Sequence, residues 1–258
     1  MCALVEAGDT PGRNPLLAPL RSRLQALGTA LDTWDPTRCT ELPLRRPLAG
    51  LYLVKGDHPS VLSVAGMLTD AGASCLNSHD ATAAAADKAR TLARIARAGV
   101  PVPRTVLADG LATLAAQLQQ GPRFVKPLRG AHGEGTQVLR RGEGPSTPGP
   151  WLVQECVDGP GYDLKVYGVG RQAAVRRVHT QPGVVGVPRE PVLAAPAVTE
   201  IALEAATAAR LDCWGVDVVA GRDGPVVVDV NAFPGYRGVP EAIGWLTDLI
   251  LERLQSRR

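Results

Sequence analysis

The chain has 258 residues, 45% of them apolar and 21% charged, with a formal net charge of +3. That length can bury a sizeable core in one to three domains, and the composition is that of a globular protein rather than a disordered one. The charge is spread along the chain without a basic block, so nucleic acid is not expected as a partner. No apolar run approaches the roughly 20 residues of a membrane span, and the first residues lack the features of a secretory signal. A cytoplasmic protein with no membrane partner is therefore expected. Five scattered cysteines, at positions 2, 39, 75, 156 and 213, form no CxxC pair. This argues against a zinc knuckle or a disulfide framework and fits a reducing compartment. Of the 28 basic residues, four are lysine (Lys55, Lys88, Lys126 and Lys165) and the rest arginine. Those four are candidates for positions that need a compact ammonium rather than a planar fork.

In chain order, residues 1–76 read as a small α/β unit. A helical pattern covers 16–31, an irregular proline-marked stretch 35–47, a short apolar strand 51–54, a second helical pattern 60–71 and a strand 73–76. A helix is predicted over 80–99, with Asp80 as N-cap and Gly99, Pro101 and Pro103 as stop signals. A strand at 123–126 runs into the glycine-rich loop PLRGAHGEGT at 127–136, and 137–139 resumes a strand. After a turn-rich connector at 142–150, strands are expected at 151–157, 164–169 and 172–178. A proline- and glycine-rich loop at 180–197 leads to a helix at 198–209, a hairpin at 214–231 and a closing amphipathic helix at 241–254.

The hairpin carries the sharpest chemistry. The runs 216–220 and 226–230 flank the turn residues GRDGP. A five-residue loop with Ala220 opposite Val226 sets Asp217 opposite Asp229, with Asn231 on the same face two residues on. Like charges in that arrangement repel by roughly 0.2–1 kcal/mol. A divalent cation would reverse the sign, and two carboxylates with an amide oxygen are hard ligands suited to magnesium. A one-residue slip would separate the acids, so a solvent-facing hairpin with incidental acids is the competing reading.

Lys126 stands just before the loop that holds Gly130, Gly133 and Gly135. Glycines let backbone amides approach phosphate oxygens, and an adjacent lysine adds a point charge. Taken alone, such a loop is equally a structural turn. The strand ending in Gln154, Glu155, Cys156 and Val157 offers backbone groups to an adenine edge, and Asp163 and Lys165 share one strand face. Alone, this is only a strand with an acid–base pair.

Taken together, from about residue 51 to 251, these segments resemble the ATP-grasp superfamily and, within it, the RimK-like amino-acid ligases. The stretch NSHDATAAAADKARTLARIARAGVPVP (77–103) is similar to the family's helix with an ATP-contacting lysine, here Lys88. FVKPLRGAHGEG (124–135) resembles its phosphate-covering loop, with Lys126. QECVDGPGYD (154–163) resembles the adenine hinge and the ribose acid, and AAVRR (173–177) the strand carrying an arginine near the terminal phosphate, matched to Arg177. GVDVV, VVVDVN and FPGYRG resemble the metal segment.

The resemblance implies an ATP-grasp α/β fold of two α+β halves. A small N-terminal domain (1–76) precedes an ATP-grasp domain (77–258), itself divided into a lid subdomain (77–150) and a C-terminal subdomain (151–258). It also implies ATP contacts from Lys88, Lys126, Gly130, Gly133, Gly135, Gln154, Glu155, Cys156, Val157, Asp163 and Lys165. One or two magnesium ions, with manganese as a substitute, would sit on Asp217, Asp229 and Asn231. The implied reaction joins a small carboxylate and an amine (amino acids or a peptide) through an acyl phosphate, with Arg177 and Lys126 stabilising charge. Arg237, following Pro234–Gly235, is placed by sequence to hold a carboxylate bidentately. A small-polyol kinase and a non-catalytic ATP-binding module are the alternatives on the same fold, and a homodimer is the default expectation. Three departures stand out. Aspartate replaces the frequent glutamate at 229, Lys165 replaces the usual arginine, and TQPGVVGVPRE lacks the Arg-Ser-Asn-type segment of ribosomal-protein glutamate ligases.

Overall fold

The computed structural model describes residues 1–6, 15–38, 49–130, 135–179 and 188–256. The first of its three sheets is parallel, in the order β2-β1-β3-β4, from β1 (Cys2–Val5), β2 (Asp32–Trp34), β3 (Tyr52–Lys55) and β4 (Cys75–Leu76). Its strands read as short apolar runs because both faces are covered. Leu4, Tyr52 and Val54 pack on α2 (Pro59–Asp70). Ala3, Val5 and Leu53 share a core with α1 (Leu17–Ala26) and the last helix of the chain, α7 (Ala242–Gln255).

Two helices, α3 (His79–Ala85) and α4 (Lys88–Arg97), lead to the second sheet. It is antiparallel, in the order β5-β8-β6-β7, from β5 (Thr105–Ala108), β6 (Arg123–Pro127), β7 (Gln137–Leu139) and β8 (Trp151–Glu155). One face of it closes on α5 (Leu111–Leu118) around Leu114, Leu118, Val125, Trp151 and Val153. A division at residue 150 would sever β8 from the sheet in which it is an inner strand. That expected boundary is corrected to follow Glu155.

The third sheet is antiparallel, in the order β11-β10-β9-β12-β13, from β9 (Tyr162–Val169), β10 (Gln172–His179), β11 (Glu190–Pro191), β12 (Cys213–Gly221) and β13 (Gly224–Ala232). One face is apolar. Leu164, Val166, Val175, Trp214, Val216, Val218, Val227 and Val230 pack on α6 (Pro196–Ala209) and on Leu92 and Ile95 of α4. Gly168 on this face is obligatory, because a Cβ there would lie 2.1 Å from the Trp214 indole. On the opposite face, Tyr167, Val169 and Cys213 meet the α1–α7 core.

Asn77 ties the first sheet to the third. It is fully buried, its amide donates to the Cys213 carbonyl (2.8 Å), and its oxygen accepts from the Asp212 and Cys213 amides (2.9 and 2.8 Å).

Several elements differ from the sequence reading. The predicted helix over 80–99 is two helices, because Asp87 caps the second by accepting from the Arg90 amide (3.1 Å). Ser78, not Asp80, caps the first. Helix α1 stops at Ala26, followed by Gly28 with φ +76° and then by β2. Among the described residues, no helix is long and apolar enough to cross a membrane.

Candidate active site

Strand alternation builds the site on the polar part of the third sheet. Register sets Arg176 opposite Lys165, Lys165 opposite Asp217, and Asp217 opposite Asp229. Directly opposed residues point the same way, so these four side chains form one row across four strands. Asp163 and Asn231 lie on the same face, two residues from Lys165 and Asp229.

The pairing of the two acids is reached by a route the sequence did not suggest. The hairpin turn is tight: Gly221 pairs with Gly224 and Ala220 with Pro225, leaving only Arg222 and Asp223 in the loop. Continued regularly, that register would set Asp217 opposite Val228. A β-bulge between Asp217 and Val218 skips Val228 and restores Asp217 opposite Asp229. The carbonyl of the skipped residue accepts from the Lys126 ammonium (2.9 Å), which arrives from β6 of the second sheet.

Charge balance in the row is internal. The Lys165 ammonium bonds the Asp217 carboxylate. Burial works against the Lys165 charge, but Asp217, by charge and hydrogen bond, outweighs it together with Tyr167 and Asp229. The Lys165 pKa therefore lies above the ordinary lysine value. Lys126 is 7% exposed. Burial pushes its pKa below the ordinary lysine value, against the pull of Asp229 and Asp217 and with the help of Lys88. Lys88 opens α4 and donates to the Gly130 carbonyl (2.6 Å). Gly130 and Gly135 have φ +128° and +68°. Gly133 lies outside the described residues.

The hinge residues divide by accessibility. Gln154 is buried and donates to the Thr105 hydroxyl (3.1 Å), while the Glu155 side chain lies 3.8 Å from Arg104. The chain leaves β8 at Glu155. Among the described residues, the backbones of Cys156 and Val157 have no hydrogen-bond partner, so their N–H and C=O groups are available to a ligand edge.

Arg177 is not part of this row. One residue along β10, it points to the opposite face, bonds Glu190 through Nε and Nη2 (3.1 and 2.8 Å) and sits 5.6 Å from the Tyr162 ring. The correction is one of parity: the arginine on the face of the acids is Arg176, opposite Lys165. It is buried, and its Nε and Nη1 donate to the Gly238 and Val175 carbonyls (2.7 and 2.9 Å). Matching AAVRR by motif missed it, and pairing β9 with β10 across the two-residue turn Gly170–Arg171, which sets Lys165 opposite Arg176, finds it. Arg237 is exposed on the turn after β13. There Phe233 and Tyr236 hold φ +42° and +47°, each locked by burial, with the Tyr236 hydroxyl donating to the Gly168 carbonyl (3.0 Å).

A magnesium ion fits the donor chemistry. Among the described residues, no three histidine, cysteine or acidic side chains gather round one point. An ion held by Asp217, Asp229 and the Asn231 amide oxygen would complete its shell with water and phosphate oxygens, as magnesium does.

The fold is of the α+β class, with two antiparallel sheets joined where the one that carries the acids receives Lys126 from the other. Comparison with known proteins narrows this. The family model described as the ATP-grasp domain matches residues 85–235, and the chain belongs to that family. It is 33% identical over 189 residues to a probable alpha-L-glutamate ligase of Thioalkalivibrio sulfidiphilus, covering 66% of this chain and 62% of that protein. It is 31% identical over 193 residues to the ribosomal protein bS6–L-glutamate ligase of Escherichia coli, covering 66% and 63%. The chain thus spans less than two thirds of the length of these relatives. The fold is also that of a RimK domain ATP-grasp protein from Sphaerobacter thermophilus, with TM-score 0.76, 19% identity, and coverage of 96% of this chain and 98% of that one.

Proposed function

We propose that the protein is a cytoplasmic ATP-dependent carboxylate–amine ligase. It would form an amide through an acyl phosphate, joining amino acids or adding an amino acid such as glutamate to a small acceptor. The observation that carries this reading is the row Arg176–Lys165–Asp217–Asp229, with Lys126 reaching it from the facing sheet. The relatives named as glutamate ligases support the same reading.

Asp217, Asp229 and Asn231 would hold one or two magnesium ions, which would supply positive charge to offset that of the phosphates. The backbones of Cys156 and Val157 would meet the adenine edge, with Gln154 and Glu155 forming the hinge and Asp163 directed at the ribose. Lys88, Lys126 and the loop glycines would hold the phosphates, and Arg176 would stabilise charge as the γ-phosphoryl group passes to the substrate carboxylate. ADP leaves, the amine attacks the acyl carbon, and phosphate departs as the amine loses its proton. Arg237 is retained as a carboxylate-holding residue.

The test is magnesium-dependent phosphate release from ATP across pairs of amino acids, with mass spectrometry for an amide, in wild type and Asp229→Ala. The expected result is free phosphate and an amide mass with at least one pair, both falling by about 10²–10³-fold in the variant. A phosphorylated product without free phosphate would replace the ligase by a kinase.

A further inference from the structure

Arg176 and Arg189 approach one another where β10 and β11 meet the turn after β13. Gly238 lies between them: the position of its missing Cβ is 3.6 Å from Arg176 Nε and 3.7 Å from Arg189 Cβ. Arg237, exposed, is its neighbour in sequence. The carboxylate beside this group is Glu241, half exposed and 3.8 Å from Arg176 Nη2. Two cations at one turn repel each other unless an anion joins them.

Arg189 is held differently from the rest. Its Nε donates to the Tyr167 hydroxyl (2.8 Å), a neutral acceptor, and among the described residues no carboxylate lies within ion-pair distance of it. The segment preceding it, TQPGVV and GV at 180–187, contains no acidic residue. Tyr167 is buried and braced by the Tyr236 ring, with centroids 6.1 Å apart. It stands on the same face as Lys165, two residues away. The phenol therefore fixes the guanidinium on the charged face with Nε engaged, leaving the Nη1–Nη2 edge, the geometry that takes a carboxylate bidentately. A half-buried cation oriented by a neutral group has lost hydration without gaining an ion pair, and an anionic ligand restores the balance.

We infer that Arg189, oriented by Tyr167, is a specificity-determining residue that binds the free α-carboxylate of an amino-acid substrate, a carboxylate distinct from the one phosphorylated. This deepens the ligase reading and rests on it for the identity of the ligand. Arg189 touches substrate but takes no part in bond making; Tyr167 is its positioning residue.

The experiment compares phosphate release with each amino acid against its α-carboxamide. Wild type should favour the acid by roughly tenfold or more in kcat/KM. Arg189→Gln should bring that ratio to within about twofold, mostly through KM for the amino acid, with KM for ATP unchanged. Arg189→Lys should keep part of the preference, and Tyr167→Phe should raise the same KM with a smaller effect. An Arg189→Gln protein that retains the preference, or whose KM for ATP rises equally, overturns the inference. A second arm needs no turnover. With AMPPNP and magnesium bound, millimolar sulfate, measured against chloride of equal ionic strength, should raise the Tm of wild type and not of Arg189→Gln. Equal shifts overturn the inference. If no amino acid supports phosphate release, the ligase reading fails by itself, and the sulfate arm still decides whether Arg189 is an anion site.

Discussion

The two faces of the third sheet are made by the same strands, but one packs on α6 while the other is divided between the α1–α7 core and the charged row. On β9, Leu164 and Val166 enter the α6 core while Asp163 and Lys165 turn to the charged face; on β12, Val216 and Val218 flank Asp217 in the same way. On β10, Arg176 and Arg177 are identical in type and adjacent, yet one shares the face of the acids and the other makes an exposed pair with Glu190. Position along a strand decides a residue's task more than its kind does. The apolar face supplies stability. The charged face sets two carboxylates opposite each other, an arrangement that costs folding energy and has meaning only with cations present.

Perturbing each face should separate these contributions. The largest effect is expected on the apolar side. Trp214 is fully buried with its indole nitrogen donating to the Gly170 carbonyl (3.1 Å). Trp214→Ala should lower stability by about 3–5 kcal/mol in urea unfolding, while KM for ATP in the protein that remains folded stays the same. Asp229→Ala should do the reverse. Phosphate release should fall by about 10²–10³-fold, the scale of losing one electrostatic contact to a transition state, with a melting temperature unchanged or raised as the like-charge repulsion disappears. The neighbouring arginines sharpen the contrast further. Arg176→Gln should lower kcat by roughly 10–100-fold and Arg177→Gln by less than about threefold in the same assay; equal losses would show that parity does not sort them.

The smallest effect belongs to Asp80, away from both faces. Hydrogen bonding from Arg94, and then from Arg90, outweighs desolvation and holds its carboxyl below the ordinary aspartate value. A depressed carboxyl stabilises the fold above its unfolded pKa and loses that contribution as pH falls through the folded value. Because the side chain is half exposed, Asp80→Asn should cost well under about 1 kcal/mol at neutral pH. The difference from wild type should vanish in acid, as read by urea unfolding at both pH values.

Much of this was legible in the sequence, for reasons that also explain what was not. The acid pair was found because alternation over a hairpin is a strong constraint, and an odd number of residues between Asp217 and Asp229 admits their pairing either by a longer loop or by a tight turn with a bulge. The structure takes the second. Strands β1, β2 and β5 are three or four residues long, too short for a period to declare itself. Asp87 reads as a helix interior residue until its side chain is seen capping α4. The Arg189–Tyr167 contact joins residues 22 apart across strands, and no local pattern announces it. Arg177 was misplaced because a motif names residue types, whereas facing is set by counting.

The bulge at Val228 has a consequence of its own. Removing that residue would leave a regular ladder with Asp217 and Asp229 still opposed, so the surplus residue is dispensable to the acids. What would vanish is the spare carbonyl, the group through which the second sheet, by way of Lys126, fastens onto the third. The irregularity thus acts as a latch: a miscount in one strand gives the neighbouring subdomain a place to grip.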